Sequence, residues 1–128
     1  MLKAVIIDEN ATSRGLLQTI LVNNGWEVAG HTNSNAKGLL LLQKLQPHFI
    51  CIDLGQIDDE GLLDRIRQDW PKTLIFVIAS TVDAQTVQNM LARGVHGFFI
   101  KPFNQATVAN TVRSAVLRLV KQAQQPTN

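Results

Sequence analysis

The sequence predicts an α/β domain in which five short buried strands alternate with five amphipathic helices, a (βα)5 order that builds a doubly wound parallel sheet. Three observations predict it. Apolar runs rich in Val, Ile and Phe recur at residues 3–7, 26–30, 48–52, 74–79 and 96–100. Longer segments between them carry apolar residues at helical spacing. Gly, Pro or polar residues punctuate the changes between the two patterns.

Each element has its own justification. Residues 3–7 are apolar after Lys3, without polar alternation, as in a strand covered on both faces. Residues 11–24 place Leu16, Leu17, Ile20 and Leu21 at helical spacing, and the second strand is predicted over 26–30. Residues 36–46 contain Leu39, Leu40, Leu41 and Leu42 and stop before Pro47, since the residue before a proline is pushed out of helical geometry. A third strand at 48–52 is followed by a short helix at 62–70 with Leu62, Leu63 and Ile66, ending before Pro71. After the fourth strand, residues 83–93 form a helix that ends at Gly94, suited to close a helix in left-handed geometry. The last helix, 104–122, opens on Asn104 as its cap and repeats apolar residues at Val108, Val112, Ala115, Val116 and Leu119. Residues 1–122 thus read as one domain and 123–128 as a polar tail or the start of a linker.

Composition narrows the function classes. A length of 128 residues suits one domain, and 45% hydrophobic with 17% charged residues suits a folded, soluble chain. A formal charge of +2, with basic residues scattered, gives no reason to expect nucleic acid or an anionic membrane as partner. The lone Cys51 excludes an internal disulfide and reads as a core residue. His31, His48 and His96 lack paired-ligand spacing and read as strand-edge or loop residues. The N-terminus has no signal-peptide pattern and no apolar stretch is long enough to span a membrane, so a cytoplasmic setting is expected.

The chemistry collects after the strands. The first ends in Asp8-Glu9, the third in Asp53, the fourth in Ala79-Ser80-Thr81 and the fifth in Lys101-Pro102. Sites in an open parallel sheet form outside the carboxyl ends of its strands, so these groups are candidates for one pocket. Two carboxylates about 6 Å apart repel by roughly 3 kcal/mol at an effective dielectric of about 20. Lys101 supplies one counter-charge for three acids, and a hard divalent ion, Mg²⁺ above all, would supply the rest. A carboxylate beside such an ion and a lysine is set up as a nucleophile toward phosphorus.

These residues resemble the receiver domain of two-component response regulators, over nearly the whole chain. Asp8-Glu9 is similar to the acidic pair that holds Mg²⁺, with Glu9 where aspartate is more common. Asn10, Arg14 and Gly25-Trp26-Glu27-Val28 continue the family's usual opening. Asp53-Leu54, with Gly61 further on, resembles the phosphoacceptor segment, and Gly55 fills the place whose carbonyl is a metal ligand. Lys101-Pro102-Phe103 resembles the closing motif, with a phosphate-contacting lysine and a cis Lys-Pro bond. The resemblance implies a flavodoxin-like sheet of order 2-1-3-4-5. It also implies Asp53 as phosphoacceptor with Lys101 at its side, and Asp8, Glu9, Asp53 and Gly55 around Mg²⁺. Such a domain is no conventional enzyme, although it assists its own phosphorylation and dephosphorylation. The implied partners are a histidine kinase or phosphotransfer protein upstream, and a downstream protein or fused output domain, with a homodimer as a further option.

The pattern is broken in two places. Gln56-Ile57 stand where Met-Pro is usual, which changes loop stiffness more than chemistry. Counting back without gaps from Lys101 puts Ala79 at the usual Ser/Thr position, whereas a one-residue shift puts Ser80 there, with Thr81 next. Phe98 falls at the aromatic switch position, and equally reads as a core residue with Phe99 on the opposite face. Taken singly, Asp53 is an ordinary capping residue, and Asp58-Asp59-Glu60 a solvated helix start that suits the helix dipole. The rival functional class is a receiver-like interaction module that phosphate does not regulate. A flavin-binding protein is disfavoured, since Asp8-Glu9 would repel the flavin phosphate.

Overall fold

A computed structural model describes residues 1–57 and 60–124. Asp58 and Asp59, expected in a solvated loop, and residues 125–128 of the polar tail lie outside the described residues. The elements are β1 (Lys3–Ile7), α1 (Ala11–Asn23), β2 (Glu27–Thr32), α2 (Asn35–Leu45), β3 (Phe49–Asp53), α3 (Glu60–Asp69), β4 (Leu74–Ala79), α4 (Ala84–Ala92), β5 (Gly97–Ile100) and α5 (Gln105–Gln124). A 3₁₀ turn, Leu54–Gln56, follows β3. The strands form one parallel sheet in the order β2-β1-β3-β4-β5, as expected.

Alternation along each strand divides the interior in two. Ala4, Ile6, Phe49, Cys51, Phe76 and Phe99 face a core closed by α1 and α5 through Leu17, Leu21, Val108 and Val112. Val5, Ile7, Ile50, Ile52, Ile75 and Val77 face the other, closed by Leu42 of α2 and by Leu63 and Ile66 of α3. Strands buried on both faces explain why the apolar runs are continuous. Phe98 and Phe99 separate as read: Phe99 is buried in the first core, and Phe98 packs half-buried against the second. Cys51 lies fully buried, which pushes its thiol far above the ordinary range and leaves it unreactive.

Caps set the element ends. Asn10 accepts from Ser13 N–H at 3.0 Å, Asp83 from Thr86 N–H at 2.7 Å, and Asn104 from Thr107 N–H at 3.0 Å. Gly94 closes α4 with φ +96°. Two strands are displaced from the sequence expectation. Trp26 belongs to the turn ending α1, where its N–H donates to Leu21 O at 3.1 Å after Gly25 at φ +84°, so β2 starts at Glu27. β2 also runs on to polar Thr32, because an edge strand does not need an apolar sequence on both faces. β3 includes Asp53, and α5 continues two residues past the expected end.

Candidate functional site

Parallel strands put their carboxyl ends on one edge of the sheet. The order reverses at β1 and β3, and the crevice there receives Asp8 from the end of β1 and Asp53 from the end of β3. Lys101, directly after β5, closes the group. Its Nζ lies 3.3 Å from Asp8 Oδ2 and 3.5 Å from Asp53 Oδ1. One ammonium thus serves two carboxylates, which leaves a negative charge in excess. The Lys101-Pro102 peptide is cis, as expected.

Asp8 is the buried partner at 1% exposure. Its Oδ1 accepts from Asn10 N–H at 2.9 Å, and Arg14 Nη1 donates to its backbone carbonyl at 2.6 Å. Its Oδ2 accepts no hydrogen bond among the described residues. Asp53 is more open; its Oδ2 accepts from Gly55 N–H at 3.0 Å, which makes it the cap of the 3₁₀ turn as well as the central acid. A buried carboxylate oxygen without a donor, beside a second carboxylate, is the chemistry of a hard-cation site. Among the described residues no three acidic, His or Cys side chains gather as a ready-made metal cage, and Glu9 is exposed. Mg²⁺ is commonly held by one or two carboxylates, so Asp8 and Asp53 fit it.

The comparisons with known proteins agree with this geometry. The profile of the response regulator receiver domain matches residues 4–113. This chain belongs to that family. The chemotaxis protein CheY of Thermotoga maritima is 23% identical over 112 residues, covering 86% of this chain and 93% of its own length. The "probable C4-dicarboxylate response regulator DctR" of Halalkalibacterium halodurans is 27% identical over 82 residues, 62% of this chain but only 36% of that protein. The crystal structure of a response regulator from Thermotoga maritima superposes with a TM-score of 0.83 at 19% identity, covering 91% of this chain and 98% of that one.

Within the receiver domain, the end of β4 is the unusual feature. Ala79 is the last residue of the strand, 4% exposed, and its carbonyl accepts from Lys101 N–H at 2.8 Å. Ser80 lies exposed beyond the strand, and Thr81 lines a shallow cleft with Leu54, Val82, Asp83 and Thr86. The N–H of Thr86, and then its hydroxyl, hold the Asp83 carboxyl below its usual range.

Two contributors were not foreseen from the sequence. In the sequence Arg14 stands only as part of the family's opening, whereas in the structure it grips the Asp8 carbonyl. In the sequence Gln56 signals only a change in loop stiffness, yet it is 8% exposed and bonded across to the β2–α2 connection. The available signal was a polar residue standing where the family places an apolar one.

Proposed function

We propose that Asp53 accepts a phosphoryl group from a histidine kinase or phosphotransfer protein. The observation that carries this reading is the convergence of Asp8 and Asp53 on Lys101 Nζ. An Asp53 oxygen attacks the phosphorus of a phosphorylated imidazole. The O–P bond forms as the N–P bond breaks, and the electron pair returns to the ring nitrogen. Lys101 offsets the charge of the transferred oxygens. Asp8, Asp53 and the Gly55 carbonyl would hold Mg²⁺, with exposed Glu9 adding charge at the rim, and the bound ion would supply further charge neutralisation. Attack by water on the phosphorus breaks the Asp53 O–P bond, releases inorganic phosphate and restores the carboxylate, so the domain assists both steps without being an enzyme in the usual sense.

On this reading the setting is cytoplasmic, and loading shifts the face of α4, β5 and α5 toward a downstream protein, a fused output domain or a second copy. Among the described residues no helix is long and apolar enough to cross a membrane. Intact-mass measurement after incubation with acetyl phosphate and Mg²⁺ tests the reading. One added phosphoryl group is expected, absent from Asp53→Asn and from the metal-free sample. No adduct under rapid quenching would sink it.

A second reading has its own observation. Buried Ala79 offers no hydroxyl at the end of β4, which favours a module whose protein contacts do not respond to phosphate. Equal partner affinity with and without a phosphoryl mimic would select it.

A further inference from the structure

The connection between β2 and α2 touches both acid-bearing loops. The Thr32 carbonyl accepts from Asp8 N–H at 3.0 Å. The Asn33 carbonyl accepts from Gln56 Nε2 at 2.9 Å, and Asn35 Nδ2 donates to the Gln56 carbonyl at 2.7 Å. Next along the chain, Gly55 N–H holds Asp53 Oδ2 at 3.0 Å. A short path of bonds therefore runs from the Asp53 carboxylate, through Gly55 and Gln56, to Asn35, the first residue of α2.

The clasp is only half satisfied. Gln56 Oε1 and Asn35 Oδ1 are both buried and accept no hydrogen bond among the described residues. A buried acceptor without a donor is unfavourable; an apolar side chain of equal length at position 56 would remove the Gln56 oxygen but would also take the donor from the Asn33 carbonyl. Two directed bonds hold the clasp, and each of its two amides carries a buried oxygen without a donor among the described residues. A displacement of Gly55 on loading of Asp53 must reach Gln56, its neighbour in the 3₁₀ turn. The end of β4, in contrast, presents only Ala79.

We propose that Gln56 is a positioning residue for Asp53, and that its clasp passes the loading of Asp53 to the N-terminus of α2. The inference rests on the phosphoacceptor reading above. Its surface output is the β2–α2 end of the domain, where Lys37 and Leu40 are exposed.

The test follows amide spectra of the ¹⁵N-labelled chain during titration with Mg²⁺ and beryllofluoride, which occupies a carboxylate as a phosphoryl group does. In the wild type, amides of residues 53–56 and 33–37 should shift together along one curve. In Gln56→Met, which keeps the side-chain length and removes the donor to the Asn33 carbonyl but not the Asn35 bond to the main chain of residue 56, residues 53–56 should still shift while the movement at 33–37 is reduced. The apparent affinity for the mimic should fall about five-fold, the low end of coupling between sites. Asn35→Asp, which removes the other donor, should likewise reduce the movement at 33–37 and serves if Gln56→Met does not fold. Movement of 33–37 as large in both variants as in the wild type would overturn the inference and leave Asp53 as acceptor. No shift at 53–56 in any of the proteins would overturn the acceptor reading, and the inference with it.

Discussion

Asp8 Oδ2 lies 3.3 Å from Lys101 Nζ and accepts no hydrogen bond among the described residues, so their attraction is an ion pair without a directed bond. The pair is lopsided: the Asp8 side chain is 1% exposed and that of Lys101 22%. Lys101 keeps part of its hydration, whereas Asp8 has lost nearly all of its own. Removing the lysine charge therefore strands a buried anion next to Asp53. Lys101→Met should cost about 2–3 kcal/mol, at or below the low end for breaking a buried pair because the site is partly open to water. Asp8→Asn removes the buried charge and its repulsion with Asp53, and should cost less than about 1 kcal/mol. Urea unfolding near neutral pH in EDTA measures both. Equal losses in the two variants would contradict this asymmetry.

The excess negative charge makes a second prediction. A cation that binds only the folded carboxylate pair stabilises by mass action, by about 1.4 kcal/mol at ten times its dissociation constant. Mg²⁺ should raise the urea midpoint of the wild type over a sodium chloride control of equal ionic strength. Asp8→Asn and Asp53→Asn should each lose most of that gain. A midpoint in either variant that rises with Mg²⁺ as in the wild type would place the ion elsewhere.

Most of the fold was legible because burial on both faces imposes a pattern that short sequences reveal. Ile50, Cys51 and Ile52 admit few readings other than an interior strand once Pro47 and Asp53 bracket them. The ends were harder to read. Trp26 is apolar and precedes a strand, so periodicity assigned it to β2; its burial against Phe49, ring centroids 6.1 Å apart, is satisfied equally well from the turn. Thr32 is polar, yet strand pairing and its contact to Asp8 carry β2 that far. The charged triad could be read because residues after strand ends converge in a parallel sheet whatever their spacing in sequence. The Gln56 clasp could not, since it depends on the Gln56 side chain reaching the main chain 23 residues away at Asn33 and the Asn35 side chain reaching the main chain 21 residues away at Gln56, and no local pattern encodes that.

Two glycines in helices should respond to alanine with opposite signs. Gly15 in α1 is exposed, and a methyl group there meets nothing within 4 Å. Gly15→Ala should stabilise by about 0.5–1 kcal/mol, through the lower backbone freedom of the unfolded chain and better helix propensity. Gly38 in α2 is buried against β1, and its added Cβ would stand 2.8 Å from Ile7 Cγ1. Ile7 is itself 1% exposed and packed on its other sides, so it has nowhere to retreat. Gly38→Ala should destabilise by about 1–3 kcal/mol, since strain in a filled core exceeds the propensity gain. Thermal or urea unfolding of the two variants side by side decides it. Stabilisation by both would mean that α2 can move away from the sheet.

The last prediction concerns pH and His96. Its Nδ1 accepts from Ile75 N–H at 3.1 Å, which requires the neutral imidazole with its proton on Nε2. Burial disfavours the charged ring first, and the nearby Arg67 and Arg118 add repulsion, so the folded-state pKa is held below the ordinary 6.5. The unfolded chain therefore takes up a proton as pH falls below about 6.5 while the folded chain resists it, and stability falls as more protons bind the unfolded state. The contribution is fully present above that value and is lost as pH drops toward and through the lower folded pKa. Unfolding free energy should be flat from about pH 8 to 7 and decline between about pH 6.5 and 5, before most carboxylates titrate. His96→Gln offers an amide oxygen to Ile75 N–H at every pH and should flatten that decline. An unchanged slope in His96→Gln would assign the acid sensitivity to other groups.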